Sequence, residues 1–441
     1  MNIGDIYELE ITGISHQGYG VGRIDNIVTF VPQAMLGETV KVKIVDYKKK
    51  MATAELLEVI VSNPYRQEAN CPHSQNCGGC ELQHGEYAYQ LQAKRQIVTD
   101  AINRLARVEQ EVEPVLGMDN PWEYRNKGIF HLDYSRGVVR AGFYEQGSHD
   151  FVAIEHCRLF SQQVNEILQT IVELIQQSGK ANYIQKVMLR ESNANGEVMV
   201  VFVIGENSWR LPDLPQKLMA QHQQIVSVYY NINTNPKLML GKTCILLAGE
   251  ATITDKLGDL SFRISPQSFF QVNTKQAEVL YQQVLDYATL DGSETVIDAY
   301  CGIGTISLFL AQQAKRVIGV ESVGQAIKDA KENARFNKMD NCEFVTAKVE
   351  DWLPKWVAKN EKADCIVLDP PRKGCDTAVL DSIIRSGMPK IVYVSCNPST
   401  LARDIQYLHQ NGYSLEKVQP VDLFCNSWHV ECVVLLSKVQ N

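Results

Sequence analysis

One thiol in this chain stands where a reactive group is expected. Cys396 lies in Val394-Ser395-Cys396-Asn397-Pro398, just past an apolar run. Leu368-Asp369-Pro370-Pro371-Arg372 lies upstream and His429-Val430-Glu431-Cys432 downstream. A thiol at a strand end, in a chain that also carries a cofactor-type glycine turn, points to covalent catalysis, with Glu431 as general base. The competing interpretation is a small buried hydrophobe, the commonest fate of a free cysteine. The glycine turn is Cys301-Gly302-Ile303-Gly304-Thr305, after the strand-like Val296-Ile297-Asp298 and before a helix predicted from about Ile306. Its glycines let the backbone approach a ligand, and the helix start offers free N–H groups. Glu321 ends the next strand, about 20 residues on, where an acid commonly holds ribose hydroxyls.

A second set is metal-like. Cys71-x5-Cys77-x2-Cys80 joins Cys157 in Glu155-His156-Cys157-Arg158, and Gly78 and Gly79 permit a tight turn between thiolates. Four thiolates suit zinc or an iron–sulfur cluster, and His73, His84 and His156 leave a mixed zinc site open. The other cysteines, Cys244, Cys301, Cys342, Cys365, Cys375, Cys425 and Cys432, are expected to be packing residues.

The elements that must position these groups fall into three parts. Residues 1–62 show short alternating strands (Tyr7-Glu8-Leu9-Glu10-Ile11, Val28 to Val31, Val40 to Ile44) with glycine turns between, which predicts a small β-barrel. Residues 63–265 hold the cysteines, a helix predicted over about Tyr87 to Arg107, another near Ser161 to Gln177, and strands around Lys186 and Val198. This is an α+β pattern. Residues 266–441 alternate strand and helix, which predicts a doubly wound parallel sheet.

Composition sets the outer bounds. The chain has 441 residues, 12 cysteines and a formal net charge of −8. That balance argues against a polyanion binder driven by bulk charge, though local patches still control phosphate contact. No run of about 18 apolar residues is present, so no transmembrane helix is expected. The start lacks a basic and then apolar leader, which leads to a cytoplasmic expectation with reduced thiols.

The motifs also resemble a known family. Asp298 with Cys301 to Thr305 resembles motif I of class I S-adenosylmethionine methyltransferases, and Asp369-Pro370-Pro371 resembles their motif IV. Together with Phe269-Phe270-Gln271-Val272-Asn273, Ser395 to Pro398 and His429 to Cys432, they match in order the RNA uracil-C5-methyltransferases. With the barrel and four cysteines, the chain is most similar to the 23S rRNA (uracil-5)-methyltransferases that carry an N-terminal TRAM domain. The resemblance implies an α/β architecture: a C-terminal Rossmann-like methyltransferase domain, a TRAM/OB-like barrel and an α+β central domain. It implies Cys396 as the nucleophile adding to uracil C6 and Glu431 as the base removing the C5 proton. It implies S-adenosylmethionine contacts from Gln271, Tyr300, Glu321 and Asp369, and a [4Fe–4S] cluster on Cys71, Cys77, Cys80 and Cys157. Ribosomal 23S RNA is the implied partner of a monomeric enzyme. Lys48, Lys49, Lys50, Arg125, Lys127, Arg136 and Arg140 are candidate RNA contacts. A transfer-RNA uridine enzyme is the nearer rival, but its relatives generally lack the barrel and the cysteine cluster, and both are present here. A noncatalytic RNA-binding or iron–sulfur protein is the rival from another class.

Overall fold

The computed structural model describes residues 1–179, 183–205 and 211–439, without the side chain of Arg136. The first sheet has six strands in the order Ile6–Glu10, Thr39–Lys48, Met51–Val61, Ile27–Val31, Gly20–Ile24, Gly13–Ile14. Leu9, Val31, Val40, Val42, Ile44, Ala52 and Ala54 alternate inward and are buried. The outward residues form a ladder of mixed charge, with Lys41 opposite Glu8 on one side and Glu58 on the other. Such cross-strand pairing neutralises that face rather than making it basic.

The helix after the cysteine loop, Tyr87–Asp100, passes into a π-helical turn over Ala101–Ala106 and ends at Arg107 with φ 58°. A regular helix was expected throughout. Ala101, Ile102 and Ala106 are buried in the core of the C-terminal sheet, and the wider turn occurs where that packing is made. The central sheet runs Thr243–Gly249, Ile225–Ile232, Val198–Ile204, Ile184–Glu191, Lys127–Asp133, Arg140–Tyr144, Phe151–Ala153. The strand Val198–Ile204 is buried along its whole length because both sheet faces are covered. Helix Gln162–Ser178, capped by the Ser161 hydroxyl, covers one face through Ile167, Leu168, Ile171 and Ile175. Met188, Met199 and Val201 on the other face join the core of the C-terminal part, together with the hairpin Ile253–Leu257/Leu260–Ile264.

The third sheet has the order Cys342–Thr346, Arg316–Glu321, Thr295–Ala299, Cys365–Leu368, Lys390–Ser395, Glu431–Lys438, Tyr413–Val421. The first five strands are parallel, and Glu431–Lys438 is antiparallel to its neighbours. A doubly wound sheet places ligand groups beyond the carboxyl ends of its parallel strands. Because Glu431–Lys438 runs the other way, its first residue arrives at that same edge.

Candidate active site

The register at this edge is specific. Ser395 pairs with Cys432 across the antiparallel ladder, so Cys396 and Glu431 are the next facing positions. Both line a cavity of about 710 Å³ together with Gln271, Tyr300, Glu321 and Asp369. All six predicted site residues therefore meet at one place, although about 160 positions separate the first from the last.

Local backbone conformation builds the cofactor side. Tyr300 takes φ 69° and donates its N–H to the Val320 carbonyl at 2.9 Å, turning the chain out of its strand. Gly304 has φ 84°, and a Cβ there would stand 3.1 Å from the Phe344 ring. Glu321 accepts from the Val323 N–H at 2.8 Å and the Ser322 hydroxyl at 3.0 Å, which fixes its carboxylate at the cavity rim. Asp298 is fully buried behind the cavity. It accepts from the Ser307 hydroxyl at 2.5 Å, and its second oxygen has no partner. Burial, with help from neighbouring Asp369 and Glu321, pushes the Asp298 carboxyl up to about 7. Burial does the same to Asp369.

The facing pair is strongly perturbed. Burial, then the nearby Glu431 and Asp369 carboxyls, push the Cys396 thiol up to about 11 against the pull of Arg372. Glu431 is 5% exposed, and burial with the charge of Asp369 raises it to about 8, again opposed by Arg372. A carboxylate of that basicity is matched to taking a proton near neutral pH. Arg372 favours the charged form of both groups.

Residues that sequence reasoning left without a role complete the wall. Phe269 is 66% exposed at the cavity mouth, Arg372 lies between the groups, and Phe424 and His429 close one side. Arg372 Nη2 stands 3.3 Å from the His429 ring nitrogens. Burial and the cations Arg372, Lys94 and Arg125 push His429 down to about 4. The Trp428 and His429 rings are 3.9 Å apart, and Phe424 meets His429 edge-on at 5.8 Å. The quoted strings around Gln271 and Glu431 contain Phe269 and His429, and that adjacency was their only signal.

The segment 422–429 that carries this wall is tied to every other part of the chain. Lys94 Nζ pairs with Asp422 at 2.5 Å, both fully buried, and donates to the Phe424 carbonyl at 3.0 Å. The Tyr87 hydroxyl donates to Asp422 at 2.8 Å, and the Tyr124 hydroxyl to the Cys425 carbonyl at 3.0 Å. Leu82, in the cysteine loop, donates its N–H to the Asn426 carbonyl at 3.0 Å. From the barrel, Gly18 lies so close that a Cβ would stand 2.9 Å from Trp428 Cβ.

Cys71, Cys77, Cys80 and Cys157 line a second cavity of about 530 Å³, joined in its wall by His73 and His156. Burial pushes Cys80 up to about 12 and Cys157 up to about 11, and neighbouring thiols add to each rise. Four thiols on one cavity wall, beside two imidazoles, are the donor types that zinc or an iron–sulfur cluster takes. Among the described residues no three His, Cys, Asp or Glu side chains are already drawn together as a metal-holding group. Of the seven other cysteines, Cys301, Cys365, Cys375, Cys425 and Cys432 are buried, while Cys244 and Cys342 are half-buried.

The candidate RNA contacts divide. Lys48 is paired with Asp46 at 3.1 Å, and Arg140 with Asp133. Lys49 and Lys50 sit exposed at a hairpin tip, and the Arg136 side chain lies outside the described residues. Arg125 and Lys127 line the cysteine cavity. Lys127 is half-buried rather than a surface charge. Burial and the neighbouring Arg190 and Arg125 push its amine down to about 7.

Comparison with known proteins agrees with this geometry. Residues 86–439 match the model of the tRNA (uracil-5-)-methyltransferase family, and residues 2–57 match the TRAM domain. An RNA methyltransferase of Bacillus cereus, described as uncharacterized, is 43% identical over 97% of this chain and 95% of its own. One from Clostridium tetani, described likewise, is 43% identical over 98% and 96%. The tRNA (uracil-54, C5)-methyltransferase of Pyrococcus abyssi, solved with S-adenosyl-L-homocysteine, superposes with a TM-score of 0.77 at 27% identity, covering 98% of this chain and 100% of that one. A tRNA enzyme thus shares the architecture through the barrel, so the barrel does not separate ribosomal from transfer-RNA enzymes as expected above. The chain belongs to the tRNA (uracil-5-)-methyltransferase family, S-adenosylmethionine-dependent RNA methyltransferases of the uracil-5 class.

Proposed function

From that membership we propose that the protein methylates C5 of a uridine in 23S rRNA, with Cys396 as nucleophile and Glu431 as base. The observation that carries this reading is the ladder register that sets Cys396 opposite Glu431 at the cavity edge. Uracil C5 is a poor nucleophile until a thiolate adds to C6. Cys396 Sγ loses its proton to solvent as the RNA binds and bonds to C6 as the thiolate, and the C5=C6 electron pair moves toward C5 and O4. S-adenosylmethionine supplies the sulfonium methyl group that C5 takes. The Glu431 carboxylate then accepts the C5 proton, the double bond re-forms, and Cys396 leaves as thiolate. Gln271, Tyr300, Glu321 and Asp369 are the groups that would hold the donor. The carboxylates among them suit its positive charge.

Cys71, Cys77, Cys80 and Cys157 would hold a [4Fe–4S] cluster that organises the RNA-facing loop, with no part in methyl transfer. This four-thiol set is what favours 23S rRNA. The protein acts as a cytoplasmic monomer built of three domains, at 1–62, 63–265 and 266–441. A transfer-RNA uridine is the second reading, favoured by the likeness to the P. abyssi enzyme.

Two measurements test this. RNA carrying 5-fluorouridine at the target has no removable C5 proton and should form a covalent adduct with the protein. RNA that binds without any adduct would mean a noncatalytic relic. Mapping 5-methyluridine in ribosomal and transfer RNA from cells with and without the gene assigns the substrate. Loss confined to transfer RNA overturns the 23S reading.

A further inference from the structure

The two cavities share a wall: Arg372, Phe424 and His429 line both. The catalytic cavity has more carboxyl groups, Glu321, Glu350, Asp369, Asp376 and Glu431, than cations, Lys348, Arg372 and Lys373. In the cysteine cavity the balance is reversed, with Glu81 its one carboxyl group among the described residues. Arg125, Lys127, Arg158 and Arg372 line it, and among the described residues none of them forms an ion pair with a carboxylate. Arg158 lies over the Trp122 ring at 4.6 Å and donates to the Asn70 carbonyl at 3.1 Å. Arg125 donates from Nε to the Lys127 main-chain carbonyl at 3.2 Å, which fixes its guanidinium at the strand that carries Lys127. The Lys127 amine donates no hydrogen bond to a described residue.

Arg125, Lys127 and Arg158 are half-buried, and Arg372 is exposed. Half-buried cations without an ion-pair partner are costly, and a chain of net charge −8 has carboxylates to spare for pairing them. Their arrangement fits an anion supplied from outside. The same wall offers aromatic faces: Trp122, Phe424, His429, and Tyr144 against His131 at 4.4 Å. Cations interleaved with aromatic rings are the recognition surface of unpaired RNA, the first for phosphodiesters and the second for bases. Lifting a target base out of its stack also frees its neighbours.

The geometry points to a second nucleotide site. The cavity walled by Trp122, Arg125, Lys127, Phe424 and His429 takes one unpaired nucleotide next to the target uridine, its phosphodiester on Arg125 and Lys127 and its base on the aromatic wall. This rests on the uridine-methylating reading, because the shared wall is what makes the two nucleotides neighbours.

The test uses the full-length protein and total RNA from cells grown with 5-fluorouracil. The covalent adduct is trimmed with single-strand nuclease, and the nucleotides left on Cys396 are sized by mass. The wild-type adduct should keep at least one protected nucleotide beside the target. Lys127→Gln should lose that protection and need about tenfold more RNA for half-maximal trapping, with the rate at saturating RNA within about twofold, and Lys127→Arg should restore both. An unchanged thermal midpoint for Lys127→Gln separates this from misfolding. A wild-type adduct trimmed to the target alone, or equal protection in Lys127→Gln, overturns the site. So does inorganic phosphate that binds wild type but not Lys127→Gln while flanking protection is the same in both, which would mark a plain anion site. No adduct in wild type defeats the catalytic reading itself, and the second site with it.

Discussion

In the proposed reaction Cys396 and Glu431 do different parts, and their variants should separate them. Cys396→Ala should lower methyl transfer by roughly a thousandfold or more while S-adenosylmethionine still binds, read by transfer assay and calorimetry. Glu431→Gln should instead stall after methylation. A methylated covalent adduct with ordinary uridine RNA should then accumulate on a denaturing gel, with turnover down by about 10²–10⁴-fold. An absent adduct in that variant would remove Glu431 from the role of base. The raised carboxyl of Glu431 also has a stability consequence. Its folded pKa, about 8, lies above the ordinary carboxylate range. Below that range the group is protonated in both states, so its stabilising contribution is fully present. It is lost as pH rises through about 8, because the unfolded chain ionises freely while the buried group resists. The thermal midpoint of wild type should therefore fall toward alkaline pH, and Glu431→Gln should fall less steeply. Such chemistry was legible in the sequence through short strings that carry reactive residue types. Arg372 and His429 were visible in the same strings without a role, because what they do depends on a wall assembled from distant segments.

At the scale of elements, the C-terminal sheet was the most legible part and the loops the least. Alternating strand and helix patterns announce a parallel sheet, and they place Tyr300, Glu321, Asp369 and Cys396 at strand ends. The antiparallel return of Glu431–Lys438 carries no comparable signal, since a buried strand is apolar in either direction. The helix after Tyr87 was foreseen, but its π-helical turn arises from packing against the C-terminal core that periodicity alone does not reveal. Lys94 in that helix is fully buried against Asp422, a pairing of distant segments that the helical pattern does not reveal. Lys94→Met leaves Asp422 as an uncompensated buried charge and should cost about 3–5 kcal/mol in denaturant unfolding. The variant should also disturb the segment that carries Phe424 and His429. A loss well under 1 kcal/mol would show that Asp422 finds another partner or a proton.

For the whole molecule, the acidic balance and the RNA substrate class are reconciled by segregation. Carboxyl groups outnumber cations around the cofactor cavity, cations outnumber carboxyl groups in the cavity next door, and the barrel face is neutralised strand by strand. RNA affinity should therefore depend only moderately on salt. The two cations placed on the phosphodiester, Arg125 and Lys127, give a slope of about −1.4 in a plot of log affinity against log salt. A slope near that of a wholly basic binder would place the RNA elsewhere. The segment 422–429 has a further consequence, which concerns time. Its partners are Gly18, Leu82, Tyr87, Lys94 and Tyr124, all far earlier in the chain, and Glu431 follows directly after it. In a chain made from its amino end, the barrel, the cysteine loop and the central sheet emerge before the segment that needs them. On the proposed roles, Glu431 is delivered after every partner of the segment that precedes it, and a growing chain lacks its base until that segment has docked.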